Sequence, residues 1–118
     1  MNNIAELLAE TGNYEKAKPL FEGARKIWEE KLGPDHPYVA LSIHNLAKLA
    51  TAVGEYERAE QLFLKAQQMW EKKLGPDHPN VAENLERYAG LLRKTDRPSE
   101  AAELEARAEK IRAKHVVP

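Results

Sequence analysis

Leu32-Gly33-Pro34-Asp35-His36-Pro37 returns without change as Leu74-Gly75-Pro76-Asp77-His78-Pro79, 42 residues later. Self-similarity at a fixed period of roughly 20 to 50 residues marks a repeat architecture. The same step carries outward from the hexapeptide. Asn3, Ala5, Leu7, Gly12, Tyr14, Ala17, Leu20, Phe21, Ala24 and Trp28 recur as Asn45, Ala47, Leu49, Gly54, Tyr56, Ala59, Leu62, Phe63, Ala66 and Trp70. One further step reaches Ala89, Leu91, Ala101, Leu104 and Ala108, whereas Gly54, Tyr56, Phe63 and Trp70 give way to Asp96, Pro98, Glu105 and Arg112. The third copy is degenerate and more polar, as a terminal capping repeat should be.

Within a copy the apolar residues follow helical spacing. Val39, Ile43, Leu46, Ala47 and Ala50 fall at steps of three and four, as do Ala59, Leu62, Phe63, Ala66 and Met69. Gly54 is placed to end the first helix of the middle pair, and Gly33 and Gly75 to end second helices, each followed by a proline that stops the helix. Pro37 and Pro79 then stand where a new helix begins and no amide donor is needed. The Asp35 and Asp77 carboxylates are expected to satisfy free amides at those helix starts. Six helices are predicted, near 1–11, 14–31, 37–52, 56–73, 79–94 and 98–114, stacked as three hairpins.

Composition narrows the functional classes. The 118 residues hold 18 Lys plus Arg against 19 Asp plus Glu, a net charge of −1, so no excess of positive charge drives the chain onto nucleic acid or an anionic membrane. The absence of cysteine excludes disulfides, thiolate nucleophiles and cysteine-ligated metal, and agrees with a reducing, cytoplasmic setting. No run of 18 apolar residues is present, and Asn2-Asn3 follow Met1 in place of a basic and then apolar signal segment, so neither a membrane span nor export is expected. With 42% hydrophobic and 31% charged residues the chain reads as one globular domain over 1–118, with repeats near 1–36, 37–78 and 79–114 and a tail at 115–118.

Asn45-Leu46-Ala47-x-Leu49, then Gly54-x-Tyr56-x-x-Ala59-x-x-Leu62-Phe63-x-x-Ala66, then Leu74-Gly75-Pro76-Asp77-His78-Pro79, resembles the 42-residue tetratricopeptide repeat of kinesin light chains and their bacterial relatives. The resemblance covers essentially the whole chain. It implies an all-α, right-handed α-solenoid of three helical hairpins, the third a cap, whose first helices line a concave surface that receives a peptide or helix of a partner protein.

The stripe expected to face that groove comprises Leu41, His44, Asn45, Lys48, Thr51 and Ala52 in the middle repeat. Its other rungs are Asn2, Asn3, Glu6, Ala9 and Glu10 before it, and Glu83, Glu86, Arg87, Gly90, Arg93 and Lys94 after it. From these we expect Asn3, Glu6, His44, Asn45, Lys48, Glu86, Arg87, Arg93 and Lys94 to bind the peptide. The ladder Asn3, Asn45, Arg87 suits a peptide because a side-chain amide both donates to and accepts from a backbone amide, and guanidinium forks onto a carboxylate. Asn45 and Arg87 match positions of the family's carboxylate clamps, but Glu83, Asn2 and Glu6 stand where those clamps carry further Lys and Asn. An alternative role for Asn3 and Asn45 is to hydrogen-bond between neighbouring repeats. The mixed charge of the rungs favours a ligand with both signs, or one led by its backbone.

Other chemistry is sparse. His44 and Glu86 occupy equivalent rungs and are candidates to pair, yet no nucleophile accompanies them, since the only serines are Ser42 and Ser99. No metal set, cofactor motif or phosphate loop is recognisable, and a non-catalytic scaffold is expected. Trp28 and Trp70 are expected to pack on the following turn and the next repeat. Met1 aligns with Ile43, partway along a first helix, so Ile4, Leu7 and Leu8 lack a preceding repeat in this sequence. Self-association through them, with exchange of a helix or hairpin, or membership of a longer array, is the alternative expectation.

Overall fold

A computed structural model describes residues 14–115. Among them the chain forms five helices and no strand: α1 Tyr14–Leu32, α2 Pro37–Ala52, α3 Tyr56–Leu74, α4 Pro79–Lys94 and α5 Pro98–Lys114. The expected bounds hold to within one residue; the helix expected near 1–11 lies outside the described residues.

Local chemistry explains the punctuation. At the starts of α2 and α4 the capping acceptor is His36 or His78, whose Nδ1 accepts the N–H of Tyr38 or Asn80 at 3.1 Å in both cases. This corrects the expectation that Asp35 and Asp77 supply the caps. The imidazole follows the turn directly and reaches the amide two residues on, while the Asp77 carboxylate is turned to Lys114, 2.7 Å away at the end of α5. Pro37 and Pro79 occupy the first helical turn, as their missing N–H allows. Gly54 leaves α2 with φ of 86°, and Asp96 takes the corresponding place after α4 with φ of 61°. Aspartate is among the few non-glycine residues that enter this left-handed region readily, so the third repeat keeps the turn without the glycine.

The helices pack in sequence, α2 with α3 and α4 with α5 as hairpins, joined by the seams α1–α2 and α3–α4; α2 also touches α4. The seam between the second and third hairpins is aromatic. Phe63 stacks on Tyr88 with ring centroids 5.9 Å apart and planes 8° from parallel, amid Ala47, Ala59, Ala89, Leu91 and Leu92. Trp70 is buried among Ala40, Val81, Leu85, Ala108 and Ile111, and its indole N–H donates to the Pro37 carbonyl at 3.0 Å. Trp28 is partly buried, 5.3 Å from the Tyr38 ring. The outermost helix, α5, buries only Ala101, Ala108 and Ile111, and Glu105 and Arg112, replacing an aromatic at each place, form ion pairs with Arg93 and Glu86 of α4. Polar substitution is tolerated because no further described helix covers that face.

Candidate functional site

The first helices of successive hairpins, α2 and α4, enclose a cleft of about 290 Å³. Lys48, Thr51 and Ala52 form one wall, Glu86, Arg87, Gly90, Leu91 and Lys94 the other, and Phe63 contributes from α3. The residues recur every three or four positions, so each helix turns one narrow face to the cleft. Gly90 widens it, since a methyl group there would meet no atom within 4 Å.

Electrostatics divide the charged residues. Glu86 accepts two bonds from the Arg112 guanidinium, at 2.8 and 2.7 Å, and that partner holds its carboxyl below the ordinary carboxylate range. Arg93 is paired with Glu105 and does not line the cleft. Lys48, Arg87 and Lys94 make no ion pair among the described residues. The charge left to act on a ligand is therefore positive.

His44 and Asn45 sit elsewhere than expected. Their exposures are only 1% and 2%, and neither lines the cleft, because α2 is packed by α1, α3 and α4 together and the arc it turns to this cleft is Lys48, Thr51 and Ala52. Nor does His44 pair with Glu86. It meets Asn84 of α4, whose Oδ1 lies 2.7 Å from the ring Nδ1 and whose Nδ2 donates to the Phe63 carbonyl at 2.9 Å. Since the amide oxygen must accept, the ring carries its proton on Nδ1, leaving Nε2 as a buried acceptor without a hydrogen bond among the described residues. Burial pushes the His44 pKa down to about 4, against the opposing pull of Asn84 and Glu83. A neutral ring forms no ion pair with Glu83, whose carboxylate stays 3.9 Å from Nε2.

Asn84 is the residue that sequence reasoning passed over. Its signal was present, an amide on the otherwise apolar row Val81, Leu85, Tyr88, where a buried polar group must find partners. Asn3, Glu6, Ile4, Leu7 and Leu8 lie outside the described residues.

The paired hairpins and their 42-residue register accompany a match to a family model, that of the tetratricopeptide repeat, over residues 1–66 and again 38–114. The chain belongs to the tetratricopeptide repeat family. Its fold is similar to the crystal structure of a Podosopora anserina kinesin light chain type protein with nearly identical TPR-like repeats, at a TM-score of 0.84 and 25% identity over 98% of this chain. A single-residue variant of that protein matches at a TM-score of 0.83 with the same identity and coverage. BtubC (BKLC) from P. vanneervenii matches at a TM-score of 0.57 with 18% identity over 99% of this chain, a likeness of fold alone. The chain spans 55% of the Podosopora protein's length and 64% of BtubC's. No curated protein matches it. Tetratricopeptide arrays are protein-interaction scaffolds, and no helix among the described residues is long and apolar enough to cross a membrane.

Proposed function

We propose that this tetratricopeptide domain is a non-catalytic cytoplasmic scaffold that binds an acidic peptide segment of a partner protein in the α2–α4 cleft. The observation that carries this reading is the convergence of Lys48, Arg87 and Lys94 on one cleft while its single acid, Glu86, is engaged by Arg112. Engagement of Glu86 by Arg112, and of Arg93 by Glu105 outside the cleft, leaves the cleft's lining basic, and the exposed Glu83 lies outside that lining. Phe63, Leu91 and Ala52 supply apolar surface for the peptide's aliphatic or aromatic groups, and the guanidinium of Arg87 offers a planar fork to a carboxylate.

A fluorescein-labelled deca-glutamate peptide is a suitable probe, with deca-lysine as the control. Anisotropy should rise with the acidic probe, fall as salt is added, and fall at least tenfold in affinity in the R87E/K94E variant; both side chains are exposed, so the fold is expected to survive. Equal binding of the two probes, or unchanged affinity in the variant, would remove the cleft as the binding site.

A further inference from the structure

The two seams between hairpins can be superposed in register by the 42-residue step, and they are not filled alike. At the seam of the second and third hairpins, Tyr88 lays its ring on Phe63 and donates its hydroxyl to Glu60 at 2.9 Å; Arg97 bonds the same carboxylate at 2.6 Å. Burial and that carboxylate both push the phenol pKa up, keeping the hydroxyl a donor. At the seam of the first and second hairpins Phe21 stands in the register of Phe63 but is buried with Leu46 and Leu49 and does not line the space beside them, while Tyr88 is replaced by Leu46 and Leu92 by Ala50. Smaller side chains on an equivalent backbone leave space, and a pocket of about 270 Å³ opens there. Leu46, Leu49, Ala50 and Val53 give it an apolar lining, and Glu15, Lys18, Glu55 and Arg58 line the rest. Three of the four charges are reversed with respect to the filled seam, Lys18 replacing Glu60, Arg58 replacing Glu100 and Glu55 replacing Arg97, while Glu15 keeps the sign of Glu57.

We propose that this pocket receives a tyrosine side chain of a partner segment, the ring taking the place that Tyr88 fills in the next seam and the hydroxyl oxygen accepting from the Lys18 ammonium. The volume suits one aromatic side chain and falls below that of ordinary small-molecule sites. At the Lys18 position an ammonium stands in place of a carboxylate and donates only, so the group that meets it presents an acceptor, and a phenol can still donate to Glu15 or Glu55. The pocket is separate from the α2–α4 cleft. At 100° per residue, Leu46, Leu49, Ala50 and Val53 leave α2 on nearly the opposite side from Lys48, Thr51 and Ala52.

The probe is N-acetyl-L-tyrosinamide, followed by two-dimensional amide NMR on the full chain. Shifts should concentrate at Lys18, Leu46, Leu49 and Val53, and should leave Arg87 and Lys94 unmoved. Leu46→Tyr places the missing ring in the chain itself and should weaken probe binding at least tenfold; Ala50→Leu, which restores the bulk of Leu92, fills the same space independently should the first variant fold poorly. Lys18→Ala should weaken the tyrosine probe severalfold while leaving N-acetyl-L-phenylalaninamide unchanged, which isolates the hydroxyl contact. Shifts confined to the α2–α4 cleft, or probe affinity unaltered in both filled variants, would overturn the proposal without touching the acidic-peptide reading.

Discussion

At the scale of single residues, the consequence of burying His44 is a pH dependence of stability. In the folded chain the ring stays neutral down to about pH 4, whereas in the unfolded chain it takes up a proton near its ordinary value of 6.5. Between those limits the unfolded state binds more protons, so His44 leaves stability intact above about pH 6.5 and erodes it as the pH falls, by about 3 kcal/mol in all. Carboxylates also titrate in this window, so the measurement is a difference: urea unfolding of wild type and H44Q at pH 7.5 and at pH 4. The wild type should lose about 3 kcal/mol more than the variant over that interval, and parallel losses would remove His44 as the cause. Asn84 belongs to the same unit. Replacing it with leucine strips the Phe63 carbonyl and the His44 N–H of their partners and should cost about 2 to 4 kcal/mol at neutral pH, a loss that chemical denaturation reads directly.

At the scale of helices, boundaries were legible because they are decided locally, by a glycine that permits positive φ and a proline that needs no donor. Gly54 tests this cleanly. A methyl group there meets no neighbour, so Gly54→Ala should cost only the backbone penalty of holding φ at 86°, about 1 to 2 kcal/mol, without loss of packing. The capping residue was less legible, since Asp and His stand side by side and only geometry shows which reaches the amide. His78→Ala should therefore cost about 0.5 to 2 kcal/mol in thermal or urea unfolding, and Asp77→Ala less, because it loses only an exposed pair with Lys114. The reverse order would return the cap to the aspartate. Burial was the least legible feature of all. Helical spacing reports how many faces a helix has but not how many neighbours cover them, and α2, flanked by three helices, hides His44 and Asn45 on a face that their polarity marks as exposed. The same limit applies to the charged rungs, where Arg112, Glu105 and their partners on α4 come from distant parts of the chain and no spacing rule couples them.

At the scale of the whole molecule, a solenoid is held together only by neighbour-to-neighbour seams, and the described parts of the two seams differ in what joins them. Across the second, Asn84 bonds both His44 and the Phe63 carbonyl, Tyr88 and Arg97 share Glu60, and Arg107 reaches Glu71. Across the first, among the described residues, no side-chain hydrogen bond is made and the tyrosine-sized pocket takes the place of a ring. The helix at the seam without described side-chain hydrogen bonds is itself the poorer one, for α1 carries Pro19 and Gly23 where α3 has Gln61 and Lys65, and each lowers intrinsic helix stability, glycine by about 1 kcal/mol and proline by about 3. We therefore expect α1 to open in a sub-global step while α2 to α5 remain folded. Native-state hydrogen exchange should place the amides of α1 at a lower opening free energy than those of α3 and α4, and Pro19→Gln with Gly23→Lys should narrow the gap while leaving α4 unchanged. If exchange instead gave one common free energy along the chain, the hairpins would unfold as a single cooperative unit, and the empty ring position between α1 and α2 would carry no energetic weight.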